Sequence, residues 1–245
     1  DEGAACTTGA SATVPNVADT GVRSLWLHGI AQGQSTQVTL SAPGYQSLVI
    51  DVVVDPSGFA LYQYSYPVLH QLSTNSSAAN TALSVYALRL NADLTPAEQQ
   101  EVRGGITVNV PVTSSVPAVG TITSSPVVMQ ALADGNASGG TTQFDPVSGG
   151  TTTIAVGTPA GFSTPVNTPS QYYRSVSVNV SAPRICLQYY GCSGGVIERR
   201  VGEDLQVGSP VYLESAPEAP VTITVTSASG SVALVSASET GAGTV

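Results

Sequence analysis

Few side chains in this chain of 245 residues could carry out covalent or acid–base chemistry. His28 and His70 are the only histidines, and neither stands in a G-x-S-x-G sequence or at a metal-ligand spacing, so both are interpreted as structural. Asp51, Asp134 and Asp145 could join a calcium site at a domain end, but no D-x-D-x-D-G loop supports one. The sequence therefore predicts no catalytic residue, no metal site and no cofactor, and a protein that is not an enzyme.

The cysteines suggest oxidative chemistry. Cys186 and Cys192 frame the segment LQYYG, and no further ligand stands nearby to make a zinc site, so a disulfide is predicted, with two free thiols as the alternative. In the chain-entropy model so short a loop contributes about 2 kcal/mol, so the bond would act by local pinning. Cys6 is left over, and in an oxidising compartment it would be either a free thiol or a bond to another chain.

Tyrosines are the residues whose spacing suggests binding. On an extended strand over residues 59–69, every second tyrosine would lie on one face and form a strip on which sugar rings stack. The alternative is an edge strand that packs on its neighbour. The candidate ligand-stacking residues, including two in the cysteine loop, are Tyr62, Tyr64, Tyr66, Tyr189 and Tyr190. Glycans are the partners that these residues would take.

Composition limits the partners further. The net charge is -9 with only seven basic residues, all of them arginine, which argues against nucleic acid because nothing neutralises a row of phosphates. The absence of lysine excludes a Lys-Asn isopeptide crosslink. No apolar run approaches the length of about 18 residues that a membrane-spanning helix needs. No signal peptide is recognisable, so we expect a soluble chain that is already processed, or an excised segment.

The elements that position these residues are short strands. Apolar residues recur with a period of two between Gly, Pro and Asp turns, which is the pattern of a β-sandwich. The predicted strands are 24–28, 37–40, 48–54, 59–69, 82–90, 106–112, 119–123, 127–131, 141–144, 152–156, 175–180, 196–200, 211–214, 221–226 and 232–235. We expect Leu83, Val85 and Ala87 to point inward, with Leu88 as a further candidate. The continuous run LVIDVVV within 48–54 indicates a strand covered on both faces.

Two further expectations concern single features. The stretch Thr95-Pro96-Ala97-Glu98 has the N-cap, proline and glutamate that start a helix, and Gly104-Gly105 would end it, so this is the one predicted helix. Trp26, the one tryptophan, is expected to be a core or domain-interface side chain rather than a ligand platform.

The chain also repeats itself. Residues 35–59 restate residues 150–183: each stretch has an alternating run, then a proline with a Gly-aromatic pair (Gly44-Tyr45 and Gly161-Phe162), then a second run. Residues 105–119 likewise resemble residues 219–232. One complete copy therefore fills about 105–183, whereas the other is split, with its second half near the N-terminus and its first half at the C-terminus.

These motifs resemble the bacterial immunoglobulin-like repeats that occur in long tandem arrays in giant secreted and cell-surface proteins. The stretches that carry the resemblance are VNVPVTSSVPAVGTI, TTTIAVGTPAGFSTP, STQVTLSAPGYQS and DLQVGSPVYLESAPEAPVTITVTS. The resemblance implies stalks, spacers, adhesion modules or fibre material, and it brings no catalytic residues. The cysteine loop and the tyrosine-rich stretch depart from a bare spacer of this family.

The predicted fold is all-β, with two immunoglobulin-like β-sandwich domains, one of them split. Residues 1–59 would supply the second half of the split domain, residues 60–185 a complete domain with a tyrosine-rich lead-in, and residues 186–245 the cysteine loop and the first half. A half-sandwich exposes apolar edges and must find partner strands. The halves would pair within one chain or with the next copy, or the chain is one period of a longer array.

The predicted function is a structural protein of an extracellular filament, stalk or surface array, assembled head to tail from copies of itself by strand complementation. The alternative is a carbohydrate- or host-binding adhesin module. Either function would place the protein outside the cell or at its surface.

Overall fold

A computed structural model shows that the chain is all-β, which confirms the predicted fold class. It describes residues 11–12, 17, 20–21, 25–62, 71–131, 139–168, 171–192, 196–217, 219–239 and 241. Within these ranges the regular elements are strands, and no helix long and apolar enough to cross a bilayer is found.

The strands alternate with short turns along the described chain. The first eight are β1 (Ser35–Leu40), β2 (Leu48–Val53), β3 (Ser57–Tyr62), β4 (Gln71–Asn75), β5 (Thr81–Leu90), β6 (Pro96–Gln99), β7 (Thr107–Val110) and β8 (Val112–Ser114). The remaining strands are β9 (Gly120–Ile122), β10 (Val127–Gln130), β11 (Gly139–Pro146), β12 (Gly150–Val156), β13 (Tyr172–Tyr173), β14 (Ser175–Ser181), β15 (Ile185–Leu187) and β16 (Val211–Leu213).

The strands from β3 to β14 form one sandwich. One sheet has the order β13-β3-β5-β11-β9, with β6 added beside β5, and the other has the order β4-β14-β12-β8. The pairs are antiparallel except β4 with β14, which run parallel, and β7 pairs with β10 as a separate ribbon. Each of these strands except β6 contributes buried side chains to a shared interior or packs a side chain against it. The flanking segments are attached to this sandwich.

Burial follows the alternation of the sequence. On β14, Val176, Val178 and Val180 are 3%, 0% and 2% exposed, because every second residue of a strand faces the interior. Leu83, Val85 and Ala87 of β5 are buried in this interior as well. The further candidate Leu88 is buried with Leu90 on the opposite face of the strand, under Leu94.

The sandwich has two ends that matter for function. At the near end β3 begins at Ser57 beside the end of β5, where the amide of Leu90 donates to the carbonyl of Pro56 (2.8 Å). At the far end β14 stops at Ser181, whose carbonyl accepts from the amide of Ser76 (2.9 Å) just before β5 starts. Because β5 runs from the far end to the near end, the chain enters and leaves the sandwich at opposite ends.

Outside the sandwich, several predicted strands are wrong. Residues 25–28 form no strand, and neither do 196–200, 221–226 and 232–234. Strands β1 and β2 pair only with each other among the described residues, so the run that was expected to be covered on both faces is open to solvent, with Val53 63% exposed. Trp26 is 63% exposed and is no core residue. These sequences have the alternation of strands but lack the partner strands that hydrogen bonding in a sheet requires.

The predicted helix is wrong too. Residues 96–99 form β6, which pairs with the edge of β5. Asp93 accepts hydrogen bonds from both the amide and the hydroxyl of Thr95, so the threonine closes a turn instead of capping a helix. Arg89 of β5 then binds Glu98 across the strands (2.9 Å) and Asp55 (2.8 Å). A tertiary edge with a charged cross-strand pair overrides the local helix signal.

The tyrosine-rich stretch is partly described. Strand β3 ends at Tyr62, and Tyr64 and Tyr66 lie outside the described residues, as does the rest of the predicted strand 59–69. Strand β3 is a central strand of the sandwich rather than a lead-in, because it lies between β13 and β5.

Candidate functional site

The hairpin of β1 and β2 repeats the geometry of β12 and β14. Both first strands are followed by the same turn: Gly44 and Gly161 each have φ 83, a left-handed value that glycine adopts without strain. The amide of Tyr45 donates to the carbonyl of Ala42 (3.1 Å), and that of Phe162 to the carbonyl of Pro159 (3.2 Å). The Gly-aromatic pair noted in the sequence therefore marks one turn used twice.

The strands themselves align through the sequence before the turn. Residues 36–43 match residues 152–159 without gaps, ending in Pro43 and Pro159, and the turn of the sandwich is one residue longer. This alignment places Val38, which pairs with Ile50, at the position of Ile154, which pairs with Val176. Thus β1 is the counterpart of β12, and β2 of β14. Strand β12 has a second neighbour, β8, on its other side. The corresponding side of β1, here called the open edge, pairs with none of the described residues.

The C-terminal residues 221–235, here called the tail segment, align without gaps with residues 108–122, which contain β8 and the turn after it. In the sandwich the amides of Val119 and Gly120 both donate to the carbonyl of Val116 (2.9 and 3.3 Å). In the tail segment the amides of Val232 and Ala233 both donate to the carbonyl of Ser229 (3.1 Å each). The turn is formed in both places, but residues 221–227 pair with no strand.

Apolar residues of both segments are exposed. In the tail segment Val221, Val225 and Val232 are 58%, 59% and 84% exposed. In the hairpin, Leu48 and Val53 are 59% and 63% exposed. Open strand edges with exposed apolar side chains are templates for pairing with another chain, and soluble proteins ordinarily cover or charge them. The hairpin and the tail segment together form the candidate site, here called the open copy.

A second candidate site surrounds the cysteine loop. The disulfide between Cys186 and Cys192 is present. It closes a turn in which Tyr189 has φ 72, with the amides of Tyr190 and Gly191 donating to the carbonyl of Leu187 (3.1 and 3.0 Å). This turn leaves Tyr189 88% exposed, so its ring is available to a partner.

Neighbouring groups extend this surface. Arg199 donates to the hydroxyl of Tyr190 (3.0 Å) and to the carbonyl of Gly208 (2.9 Å), which fixes a cation beside the ring. Tyr212 of β16 is 45% exposed, and its hydroxyl lies 3.7 Å from the sulfur of Cys192. A cation and several aromatic rings thus lie around one pinned turn.

The cysteine loop is held at the far end of the sandwich. Strands β15 and β16 form a hairpin that closes where the amide of Glu214 donates to the carbonyl of Arg184 (2.9 Å). The side chain of Arg184 also binds the Glu214 carboxylate (3.3 Å). Because β14 ends only a few residues before Arg184, the chain returns to the far end at Glu214, and the tail segment starts from there.

Tyr62 lies in a different environment from the loop tyrosines. Its ring contacts Tyr86 and Tyr172, with centroid distances of 5.3 Å in both cases. Burial, and then the neighbouring phenols of Tyr62 and Tyr86, raise the pKa of Tyr172. These contacts fit the packing interpretation of Tyr62. Tyr86 and Tyr172, which sequence reasoning missed, lie on the two neighbouring strands.

The remaining candidate residues are not brought together. Cys6, His70 and Asp134 lie outside the described residues. The carboxylate of Asp51 accepts a hydrogen bond from the side-chain amide Nε2 of Gln37 (2.9 Å) across the β1–β2 hairpin. In the part of the chain that the structure describes, no group of His, Cys, Asp and Glu side chains could hold a metal ion.

No family model and no curated protein matches the sequence. Among solved structures, domains 4 and 5 of the S-layer protein SbsC align with a TM-score of 0.32 and 17% identity, over 60% of this chain and 66% of that chain. A structure of SbsC domains 1–6 aligns with a TM-score of 0.31 and 17% identity, over 64% of this chain and 18% of that chain. Similarity at this level indicates neither family membership nor a shared function.

Proposed function

We propose that the protein is a structural component of an extracellular filament, stalk or surface array, in which copies assemble head to tail by strand complementation. The observation that carries the proposal is the open copy. One half of the strand pattern, the hairpin, precedes the complete sandwich in the chain, and the other half, the tail segment, follows it. Each half has formed its own turn and lacks only partner strands. A repeated contact between the two halves of successive copies does not close on itself, and such contacts generate linear polymers.

The placement of the two halves favours pairing between copies. The hairpin precedes the near end of the sandwich, and the tail segment follows the far end. Strand β5 alone makes the sandwich about 30 Å long. The stretch from Glu214 to Val225 spans at most about 40 Å when fully extended, so reaching the near end would use most of it. The hairpin of a neighbouring copy can lie next to the tail segment without requiring residues 214–225 to be fully extended.

The chemistry of the segments suits an extracellular polymer. The strands are rich in Thr, Ser and Val, and neither β1 nor residues 225–227 carries a charge, so no like charges would face each other where these edges meet. The disulfide between Cys186 and Cys192 supports an oxidising location, outside the cell or at its surface. Cys6 would add a covalent link between copies if it lies near the same contact.

The test is the mass of native material under non-reducing, non-denaturing conditions, with electron microscopy of the same sample. We expect long fibres with a regular axial repeat. A stable particle close to the chain mass of 24.7 kDa at every concentration would show that the halves close within one chain, and would contradict the proposal.

A second candidate function, a carbohydrate- or host-binding adhesin module, is favoured by the exposed ring of Tyr189. An aromatic face on a pinned turn costs little entropy to immobilise, and aromatic rings commonly supply such contacts. We expect a glycan array probed with the chain to give a signal that Tyr189→Ala removes and that Tyr62→Ala, a change in a packed cluster, retains. Absence of binding to every glycan would contradict this second function and leave the first one standing.

A further inference from the structure

We infer the register of the contact between copies: residues 225–227 of one copy lie antiparallel on the open edge of β1 in the next. Val225 lies opposite Leu40, Thr226 opposite Thr39, and Ser227 opposite Val38. The inference rests on the proposed function and adds to it the strand, the direction and the residue pairs.

The first step is the equivalence of β1 and β12. Residues 36–43 align without gaps with residues 152–159, and a turn with a left-handed glycine follows each strand. In the sandwich, β12 pairs with β8 along the edge that corresponds to the open edge. The pairs there are Val156 with Val112, Ala155 with Thr113, and Ile154 with Ser114.

The second step is the equivalence of β8 and residues 225–227. The sequences are VTS in both places, and the same turn follows each at the same distance. Transferring the β8–β12 pairs through the two strand alignments gives the inferred register, whereas an alignment on the turn glycines would shift it by one residue. A shift by one residue would turn every side chain of the donor to the other face of the sheet.

Polar contacts support the same register. In the sandwich, the buried hydroxyl of Thr152 lies 2.8 Å from that of Ser114 and accepts from the amide of Val116 (3.0 Å). The counterparts in the open copy are Thr36 and Ser227, which keep the same hydroxyl groups. The interface would thus recreate a satisfied polar contact inside an apolar edge, as buried polar groups require.

Backbone hydrogen bonds follow from the register. In the sandwich the amide of Gly157 donates to the carbonyl of Pro111 (2.7 Å), and that of Ser115 to the carbonyl of Thr153 (3.0 Å). In an antiparallel pair, hydrogen-bonded and non-hydrogen-bonded positions alternate, so the pair of Ile154 and Ser114 is non-hydrogen-bonded. The pair of Val38 and Ser227 is then also non-hydrogen-bonded, with Cα atoms about 4.5 Å apart, which is within disulfide range.

The occupant is a second copy of this chain rather than an unrelated peptide. Strand β1 and residues 225–227 carry no charge, so no acidic or basic partner is specified, whereas the matching motif lies within the chain itself. The tail segment starts at the far end of the sandwich and the hairpin lies at the near end, so the tail segment of one copy can meet the hairpin of the next.

Cysteine crosslinking between separate chains tests the register. In a Cys6→Ser background, one chain carries Val38→Cys and another carries Ser227→Cys; the two are mixed, allowed to assemble and mildly oxidised. We expect a disulfide-linked heterodimer on non-reducing electrophoresis. The matched control replaces Val38→Cys by Thr39→Cys, whose side chain lies on the other face, and we expect its yield to fall about tenfold or more. Circular dichroism of each variant checks that it is folded.

The outcomes separate the register from the function. Fibres in which Thr39→Cys crosslinks better than Val38→Cys, or in which neither does, would overturn the register and leave head-to-tail assembly standing. A third chain that carries both changes distinguishes pairing within one chain: a crosslinked monomer, with no heterodimer from mixed chains, would overturn both. Dispersed chains without any crosslink would also overturn both.

Discussion

The same strand pattern occurs in the sandwich and in the open copy. The two regions differ in the burial of their side chains far more than in residue type. In the sandwich Val112 is 1% exposed and Val119 8%, whereas their counterparts Val225 and Val232 are 59% and 84% exposed. Their turns, by contrast, are the same.

This difference shows that the turns are specified by local sequence, whereas the strands need a partner strand to become buried. Turns depend on a few neighbouring residues, such as a glycine that tolerates a positive φ, and they form in both copies. A strand is stabilised by cross-strand pairs and by burial of one face. Among the described residues β1 and β2 pair only with each other, residues 221–227 pair with no strand, and both segments keep exposed apolar side chains. The open copy therefore has the local structure of a sandwich without its core.

The largest expected contrast is between two equivalent core positions. Ile154→Ala removes a side chain that is fully buried in β12, and we expect it to lower the free energy of unfolding by about 2–5 kcal/mol. Val38→Ala, the matched change in β1, should alter the unfolding of dispersed chains by less than about 0.5 kcal/mol. Urea unfolding of both variants, below the concentration at which fibres form, measures the difference.

The same pair of variants probes assembly. Val38→Ala is expected to raise the concentration needed for fibres, because the apolar contact at the open edge is lost. If the two variants were equally destabilising in dispersed chains, β1 would already be covered within the chain. That result would contradict the conclusion that only the sandwich copy of this strand is buried.

A smaller contrast concerns the threonines on the same strands. Thr152→Val leaves the amide of Val116 without its acceptor, and an unsatisfied buried donor costs about 1–3 kcal/mol. Thr36→Val should leave the unfolding of dispersed chains unchanged and should weaken fibres. Thr152→Ser keeps the oxygen and should recover most of the loss. Chemical denaturation measures the first effect and light scattering the second. An equal cost of Thr152→Val and Thr152→Ser would mean that packing, not the hydrogen bond, holds this position.

The sequence was a good guide to strands that the sandwich pairs. The period of two in TVNV and SVSVNVS placed β7 and β14 and the buried side of each, because one face of these strands is covered. The internal repeat also pointed to the Gly-aromatic turns. Local pattern did not reveal the partners of each strand. For example, β4 forms where no strand was predicted, because β14 offers it a parallel edge.

The errors have the same physical origin. The alternation in residues 221–226 is as regular as that of β7, yet no strand forms because its partners are absent from the described part of the chain. Residues 96–99 carry helix signals, yet the free edge of β5 and the charge of Arg89 draw them into β6. Likewise, the sequence grouped Tyr62 with tyrosines on its own strand, whereas its contacts come from Tyr86 and Tyr172 on neighbouring strands.

The smallest expected effect concerns the β15–β16 hairpin, which connects the sandwich to the tail segment. The carboxylate of Glu214 accepts from the backbone amide of Arg184 (3.0 Å) and from its guanidinium, and these bonds hold the pKa of Glu214 below its usual value. A depressed pKa in the folded chain means that this carboxylate stabilises the β15–β16 hairpin above its unfolded-state pKa. That contribution is lost as the pH falls through the folded-state value.

We therefore expect mild acid to weaken the hydrogen bonds between Glu214 and Arg184 while the sandwich stays folded. The link between the sandwich and the tail segment would then become longer. Nuclear magnetic resonance titration of the Glu214 carboxyl, with exchange of the Glu214 amide as the readout of closure, measures both steps. Glu214→Gln should make the amide exchange insensitive to pH in this range, after correction for the intrinsic exchange rate. A Glu214 pKa at or above the ordinary glutamate value would show that Arg184 does not hold the closure and would contradict this prediction.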